Sequence, residues 1–183
     1  ELVAEEMREL LAGTELADSP VLPVSSTTGD GIPQLREVLR AAAENVTPPS
    51  TDLPFRMPVD RVFSVAGRGT VVTGSVVTGR AAPHDTVTIW PGGVSARIRE
   101  VQSHSRSTER VIAGQRAAIN LQGVDKSQLE RGSELAAEGA VTPTRWLDAQ
   151  LHCLASHLQP IRNHTRVRLC LGTREVTARC VLL

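Results

Sequence analysis

Tyrosine is absent from the 183 residues, and Phe55, Phe63, Trp90 and Trp146 are the whole aromatic inventory. Val, Leu, Ile and Ala must therefore fill any core, and the flat platforms on which exposed bases stack are too few for a single-strand nucleic-acid binder. Cys153, Cys170 and Cys180 are the only cysteines, clustered near one end with no C-x-x-C pair. That excludes a disulfide scaffold and points to a reducing, cytoplasmic setting. No run approaches the roughly 18 uninterrupted apolar residues of a membrane helix, so no membrane partner is expected. The sequence opens at Glu1 without a methionine, a basic n-region or a small-residue cleavage site. Neither a signal peptide nor a natural N-terminus is expected there, and the chain is expected to be a fragment.

Lysine is nearly absent too: Lys126 stands alone against 19 arginines. Arginine favours planar, forked recognition of anions, although codon bias gives the same count. The net charge of zero hides a gradient. Residues 1–47 carry 3 basic against 9 acidic residues, 48–138 carry 11 against 9, and 139–183 carry 6 against 2. With 40% apolar and 22% charged residues the composition is that of a globular chain with room for one large domain or two small ones.

Val3, Met7 and Leu10 recur at helical spacing among acidic residues, and Gly13 stops the pattern. A short apolar run, Val21 to Val24, is expected to be a strand. It leads through Ser25-Ser26-Thr27-Thr28-Gly29-Asp30-Gly31 into a second helical pattern of Ile32, Leu35, Leu39 and Ala42, with Pro33 in its first turn. This order of helix, strand, loop and helix is that of the tail of an α/β unit. Thr47 to Pro54 holds three prolines and cannot continue a helix, so it is expected to be a linker.

Beyond the linker the period changes to 2. Six strands are expected, at Phe55–Val65, Thr70–Thr78, Asp85–Trp90, Val94–Val101, Ala117–Leu121 and Ser133–Ala136, each bounded by glycine or proline. Six short strands in so few residues imply a closed or nearly closed barrel, which also removes exposed edges. A second β set is expected from Trp146–Leu154, Thr165–Gly172 and Glu175–Leu182. The fold class is thus mainly β, with domains at 1–47, 48–138 and 139–183.

No self-contained active site stands out. Paired carboxylates, a Ser-His-Asp arrangement and an H-E-x-x-H helix are all missing, so no catalytic residue is assigned. His152, Cys153, Cys170 and Cys180 lack paired ligand spacing and are better explained as residues on neighbouring strands than as a metal site. His84, His104, His157 and His164 lie in polar, turn-like stretches. Gly67-Arg68-Gly69 is followed by Thr70-Val71-Val72-Thr73, a strand without the Lys-Ser or Lys-Thr of a nucleotide loop, and is expected to be a tight turn or bulge. The loop Ser25 to Gly31 lies between a strand and a helix, where open α/β sheets bind ligands.

Val24-Ser25-Ser26-Thr27-Thr28-Gly29-Asp30-Gly31 resembles the last guanine-nucleotide motif of the translational GTPases, with Ser26 where that family usually has alanine. The resemblance implies guanine contacts from Ser25, Ser26 and Thr27, made by backbone N–H groups after the first serine. The stretches PFRMPVDRVFSVAGRGTVVTGSVVTGR and AGQRAAINLQGVDKSQLERGSELA are similar to the second domain of elongation factors of the Tu type. PTRWLDAQLHCL and TRVRLCLGTREVTARCVLL are similar to the opening of a third domain, the start of a second β-barrel. The G-x-G-T-V-V-T-G core is common to many translation factors. DRVFS, AGQRAAINL-x-GV and LGTREVTARCVLL are narrower and resemble the selenocysteine-specific elongation factors.

That resemblance implies a GTP-dependent factor using GTP or GDP with Mg in its complete form. It implies selenocysteinyl-tRNA and the ribosome as partners, and an mRNA selenocysteine-insertion hairpin bound by domains beyond this sequence. The phosphate loop, the Asp-x-x-Gly switch and the Asn-Lys-x-Asp motif are missing from these 183 residues, so the chain alone should neither hold the nucleotide cofactor nor hydrolyse it. The resemblance places the selenocysteinyl pocket at Asp60, Arg61 and Arg116. A selenol is an anion at pH 7, which a guanidinium can hold, and neutral serine gains no such pairing. Strict alternation puts the adjacent Asp60 and Arg61 on opposite faces, so both reach one ligand only at a bulge or a strand end. A surface ion pair without function, a general translation factor without aminoacyl preference, and a barrel that docks on another protein remain alternatives.

Overall fold

The computed structural model describes residues 2–153 and 160–182. His157, Leu183 and the end of the expected strand Trp146–Leu154 lie outside them. The chain divides into two compact units, 1–47 with 148–161, and 48–147 with 162–183.

The first unit holds two amphipathic helices, α1 (Leu2–Leu11) and α2 (Ile32–Glu44). Pro33 lies in the first turn of α2, where a missing N–H costs nothing. Asn45 ends the helix: its N–H donates to the Ala42 carbonyl and its side-chain amide to the Ala41 carbonyl at 2.8 Å. Carbonyls that a helix end leaves without partners are thereby satisfied. The strand expected at Val21–Val24 is not formed. A strand exists only as part of a ladder, and no described segment pairs with these residues.

In the second unit the strands are β1 (Arg56–Val65), β2 (Gly69–Ser75), β3 (Arg80–Ala81), β4 (Thr86–Trp90), β5 (Val94–Ser103), β6 (Arg106–Thr108), β7 (Val111–Ile112), β8 (Arg116–Gln122), β9 (Glu134–Ala137), β10 (Arg166–Leu171) and β11 (Arg174–Arg179). The ladder runs β4-β9-β1-β2-β8-β5, and β5 pairs again with β4, so six antiparallel strands close on themselves. These are the six strands expected from the period of 2. The second ends at Ser75 rather than Thr78, and Thr78 instead forms a lone bridge to Arg56. Alternation carries the fold directly: Met57, Val59, Val72, Val87, Ile89, Ile98, Ile119 and Leu135 point inward and are at most 2% exposed. Each such side chain contributes about 1.5 to 3 kcal/mol by leaving water. Thr70 is a polar exception, its hydroxyl donating to the buried Val124 carbonyl at 2.8 Å.

Gly67-Arg68-Gly69 forms the turn between β1 and β2, closed by the Arg68 N–H on the Val65 carbonyl. Residues 146–153 of the expected strand Trp146–Leu154 form no strand, and Trp146 is 82% exposed. What remains of the second β set is the hairpin β10–β11, in register from Arg166 opposite Arg179 to Leu171 opposite Arg174. Its two-residue turn, Gly172-Thr173, has glycine first with φ +57°, the type II′ arrangement that matches the twist of paired strands. The turn lies on the barrel. A Cβ on Gly172 would sit 3.0 Å from Pro58 Cγ, and Thr173 Oγ1 donates to the Val59 carbonyl at 2.7 Å.

Candidate functional site

Asp60 occupies a bulge. Val59 pairs with Gly74 and Arg61 with Thr73, so two steps on β1 face one on β2 and Asp60 is the extra residue. The bulge removes the obstacle of strict alternation and turns Asp60 toward the outer face that carries Arg61 and Thr73. Gly74 makes the approach possible: a Cβ there would collide with the Pro58 carbonyl and lie 3.0 Å from Met57 Cγ.

Arg116, the first residue of β8, reaches across from its place opposite Ser75. Its Nη1 donates to Asp60 Oδ2 at 2.5 Å, and Thr73 Oγ1 donates to Asp60 Oδ1 at 2.7 Å. The hydrogen bond from Arg116, then that from Thr73 and the charges of Arg116 and Arg61, hold the Asp60 carboxyl below its ordinary value of 3.8 against the opposing effect of burial. Asp60 in turn raises the pKa of Arg116, through the hydrogen bond first and its charge second. Asp60, Arg61 and Arg116, singled out in the sequence, therefore form one electrostatic group. Asp60 is ion-paired with Arg116, and Arg61, with no ion pair to Asp60 among the described residues, adds its charge from the next position, leaving a surplus of one positive charge. Arg116 spends one of its five N–H donors on Asp60, and the others have no partner among the described residues.

Beside this group runs a groove of about 300 Å³ that sequence reasoning missed. The registers place three rows on the outer surface: Ser75 with Arg116; Arg61, Thr73, Ala118 and Gln102; and Phe63, Val71, Asn120 and Glu100. Successive rows are about 7 Å apart, so the groove along the second and third adjoins the charged group. Phe63 and Val71 give it an apolar floor. Asn120 is 5% exposed; its amide donates to the Arg68 carbonyl at 2.9 Å, while its Oδ1 is buried without a partner among the described residues. Gln102 donates to Glu100 at 2.8 Å and, ahead of Arg68, holds that carboxyl below its ordinary range against the opposing effect of burial. The available signal was Asn120 itself, a polar residue inside the apolar run Ala117 to Leu121.

In the other unit, the loop from Ser25 is folded by its own side chains. Ser25 N–H donates to the Asp30 carbonyl at 2.9 Å, Thr28 N–H to Ser25 Oγ at 3.2 Å, and Thr28 Oγ1 to Asp30 Oδ2 at 2.7 Å. The amides of Ser26 and Thr27 have no partner among the described residues. A depression of about 480 Å³ adjoins the loop, lined by Leu22, Pro23, Val24, Ser25, Asp30, Gly31 and Gln34. Of the three residues named from the sequence, Ser26 and Thr27 keep free main-chain donors, and the Ser25 amide is already used.

The family model for elongation factor Tu domain 2 matches residues 69–136. Over all 183 residues the chain is 37% identical to a selenocysteine-specific elongation factor of Desulfomicrobium baculatum. Over its whole length the chain is similar to the SelB-like translation elongation factors. Its fold agrees: 96% of the SelB-like chain matches the apo crystal structure of translation elongation factor SelB from Methanococcus maripaludis, with a TM-score of 0.79 and 27% identity. A bacterial selenocysteine-specific elongation factor, EF-Sec, matches 97% of it with a TM-score of 0.80 and 26% identity. The SelB-like chain spans 29% of the curated relative and 39% and 29% of these two solved chains.

Proposed function

We propose that this SelB-like chain works in GTP-dependent delivery of selenocysteinyl-tRNA to the ribosome, and that Asp60, Arg61 and Arg116 receive the aminoacyl end. The observation that carries the proposal is the bulge at Asp60, which gathers a carboxylate and two guanidiniums on one outer face beside an open groove. A selenolate entering there would meet the spare donors of Arg116 and the charge of Arg61, and a neutral serine hydroxyl would leave that charge unanswered. Discrimination then comes from a site left unpaired by the wrong ligand. Asp60 orients Arg116 and can accept from the amino group of the ester. The groove beside it would take the terminal nucleoside, with Asn120 Oδ1 waiting for an N–H donor.

In this reading 1–47 is the end of a GTPase domain, 48–138 the second domain and 139–183 the opening of a third. Ser26 and Thr27 offer their amides to guanine beside the Ser25 side chain. GTP and Mg would be held with help from segments outside these residues, the mRNA hairpin would be bound elsewhere, and the factor would act in the cytoplasm.

The test is equilibrium binding of the full-length protein, with a non-hydrolysable GTP analogue, to one tRNA charged with selenocysteine or with serine, each with and without Arg116→Ala. Preference for selenocysteine that disappears in the variant supports the assignment. Tight binding without preference in either protein identifies a general tRNA carrier, and no effect of the variant on any binding leaves the barrel a docking module; either result overturns the pocket.

A further inference from the structure

The Asp60 bulge is held from behind. The Val59 carbonyl, immediately before it, accepts two hydrogen bonds, from Gly132 N–H at 3.0 Å and from Thr173 Oγ1 at 2.7 Å. Val59 N–H donates to the Ser133 carbonyl at 2.8 Å. Both lone pairs of that carbonyl are thus used, one of them by a side chain 114 residues further along. The peptide plane joining Val59 to Asp60 contains this carbonyl, so its orientation sets the direction in which Asp60 leaves the strand.

The rest of the hairpin turn is fitted to the same spot. Gly172 lies against Pro58, and Arg174 Nη1 donates to the Gly132 carbonyl at 3.4 Å. Arg174 also stands 3.9 Å from Glu130. Gly132 meets the Arg174 backbone so closely that a Cβ there would be 3.0 Å from Arg174 Cα. Of these contacts only the Thr173 hydroxyl bonds directly to the strand that carries the bulge and comes from outside the barrel.

We propose that Thr173 is a positioning residue for the Asp60–Arg116 pair, and through it sets the preference for the aminoacyl group; the second half of this statement rests on the tRNA-binding reading above. Thr173 touches no ligand in this scheme. It fixes the Val59 carbonyl, the carbonyl fixes the bulge, and the bulge aims the carboxylate that holds the Arg116 guanidinium in place. Without the hydroxyl, the carbonyl keeps only the Gly132 N–H as a partner and the plane is held less firmly. Asp60 then loses the geometry that lets one oxygen meet Thr73 and the other Arg116.

The experiment compares Thr173→Val, which keeps the shape and removes the donor, with Thr173→Ser, which keeps the donor. Asp60 is titrated by carbon NMR without any ligand, and the binding ratio of selenocysteinyl- to seryl-tRNA is measured on the same full-length proteins, with Arg116→Ala alongside. Thr173→Val should move the Asp60 titration up toward the ordinary carboxylate value and lower the binding ratio about threefold to tenfold, the worth of one hydrogen bond. Thr173→Ser should restore both, which a merely structural role of the side chain's bulk would not. An unmoved Asp60 titration in folded Thr173→Val, or equal effects of valine and serine, overturns the positioning role. If Thr173→Val moves Asp60 and Arg116→Ala leaves the ratio unchanged, the positioning role stands and the tRNA reading falls. If Arg116→Ala abolishes the ratio and Thr173→Val leaves Asp60 untouched, the tRNA reading stands and the positioning role falls.

Discussion

Replacing Gly74 with alanine tests whether β1 and β2 approach at the bulge as closely as described. The added Cβ would strike the Pro58 carbonyl oxygen and crowd Met57 Cγ, 3.0 Å away. The first of these is backbone and cannot swing aside, so the strands must part by about 1 Å to restore normal contact. Overpacking of this kind costs about 2 to 3 kcal/mol, and at about 4 °C per kcal/mol for a unit of this size the melting temperature should fall by about 8 to 12 °C. Gly92→Ala is the matched control, because its Cβ meets only Val94 Cγ2 at 3.4 Å, an ordinary contact, and its backbone is not left-handed. The same methyl should there be neutral or stabilising by up to about 1 kcal/mol, through the unfolded chain. Thermal melts of both variants followed by circular dichroism decide the matter. A Gly74→Ala protein that melts with Gly92→Ala would refute the close approach and with it the account of how Asp60 is turned outward.

The depressed pKa of Asp60 sets a sign for pH dependence. A carboxyl whose native value lies below 3.8 adds stability that is fully present above that value and is lost as the pH falls through the native one. The gap in melting temperature between wild type and Asp60→Asn should therefore be constant from pH 7 to pH 5 and close below about pH 4; a gap that closes already near pH 6 contradicts the pairing. Thr70→Val removes a buried donor and leaves the Val124 carbonyl without it, at a cost of about 1 to 3 kcal/mol in chemical denaturation. Loss of less than about 0.5 kcal/mol would show that another donor serves that carbonyl.

The barrel was legible because its physics is local. Alternating residues such as Met57, Val59, Val87, Ile89 and Leu135 carry the period in the sequence, and glycines and prolines mark the bends. β3, β6 and β7 escaped notice because two or three residues cannot display a period. Val21 to Val24 and Trp146 onward look like strands by composition, but strand formation is settled by a partner, which composition does not record. The proposed site could be named as residues from the resemblance, but its geometry could not be read from the sequence. A bulge was recognisable as a requirement once Asp60 and Arg61 were named together. Its existence depends on register with Thr73 and Gly74, and its rear support on Thr173, far along the chain. The groove escaped because Asn120 has an unexceptional side chain that becomes informative only when one of its atoms is found buried with no partner among the described residues.

The closure of the barrel has a topological consequence. Arg56 lies opposite Ala136, and the Ala137 N–H donates to the Phe55 carbonyl at 2.8 Å, so the chain enters and leaves the barrel at adjacent points. An element whose two ends meet can be inserted into another polypeptide without prying its neighbours apart. Circular permutation is expected to be accommodated too, with a short splice across residues 54 and 138 and new ends opened in an exposed turn such as the one at Gly67. The same adjacency lets a barrel of this kind be exchanged as a cassette among multidomain factors, each keeping its own flanking machinery.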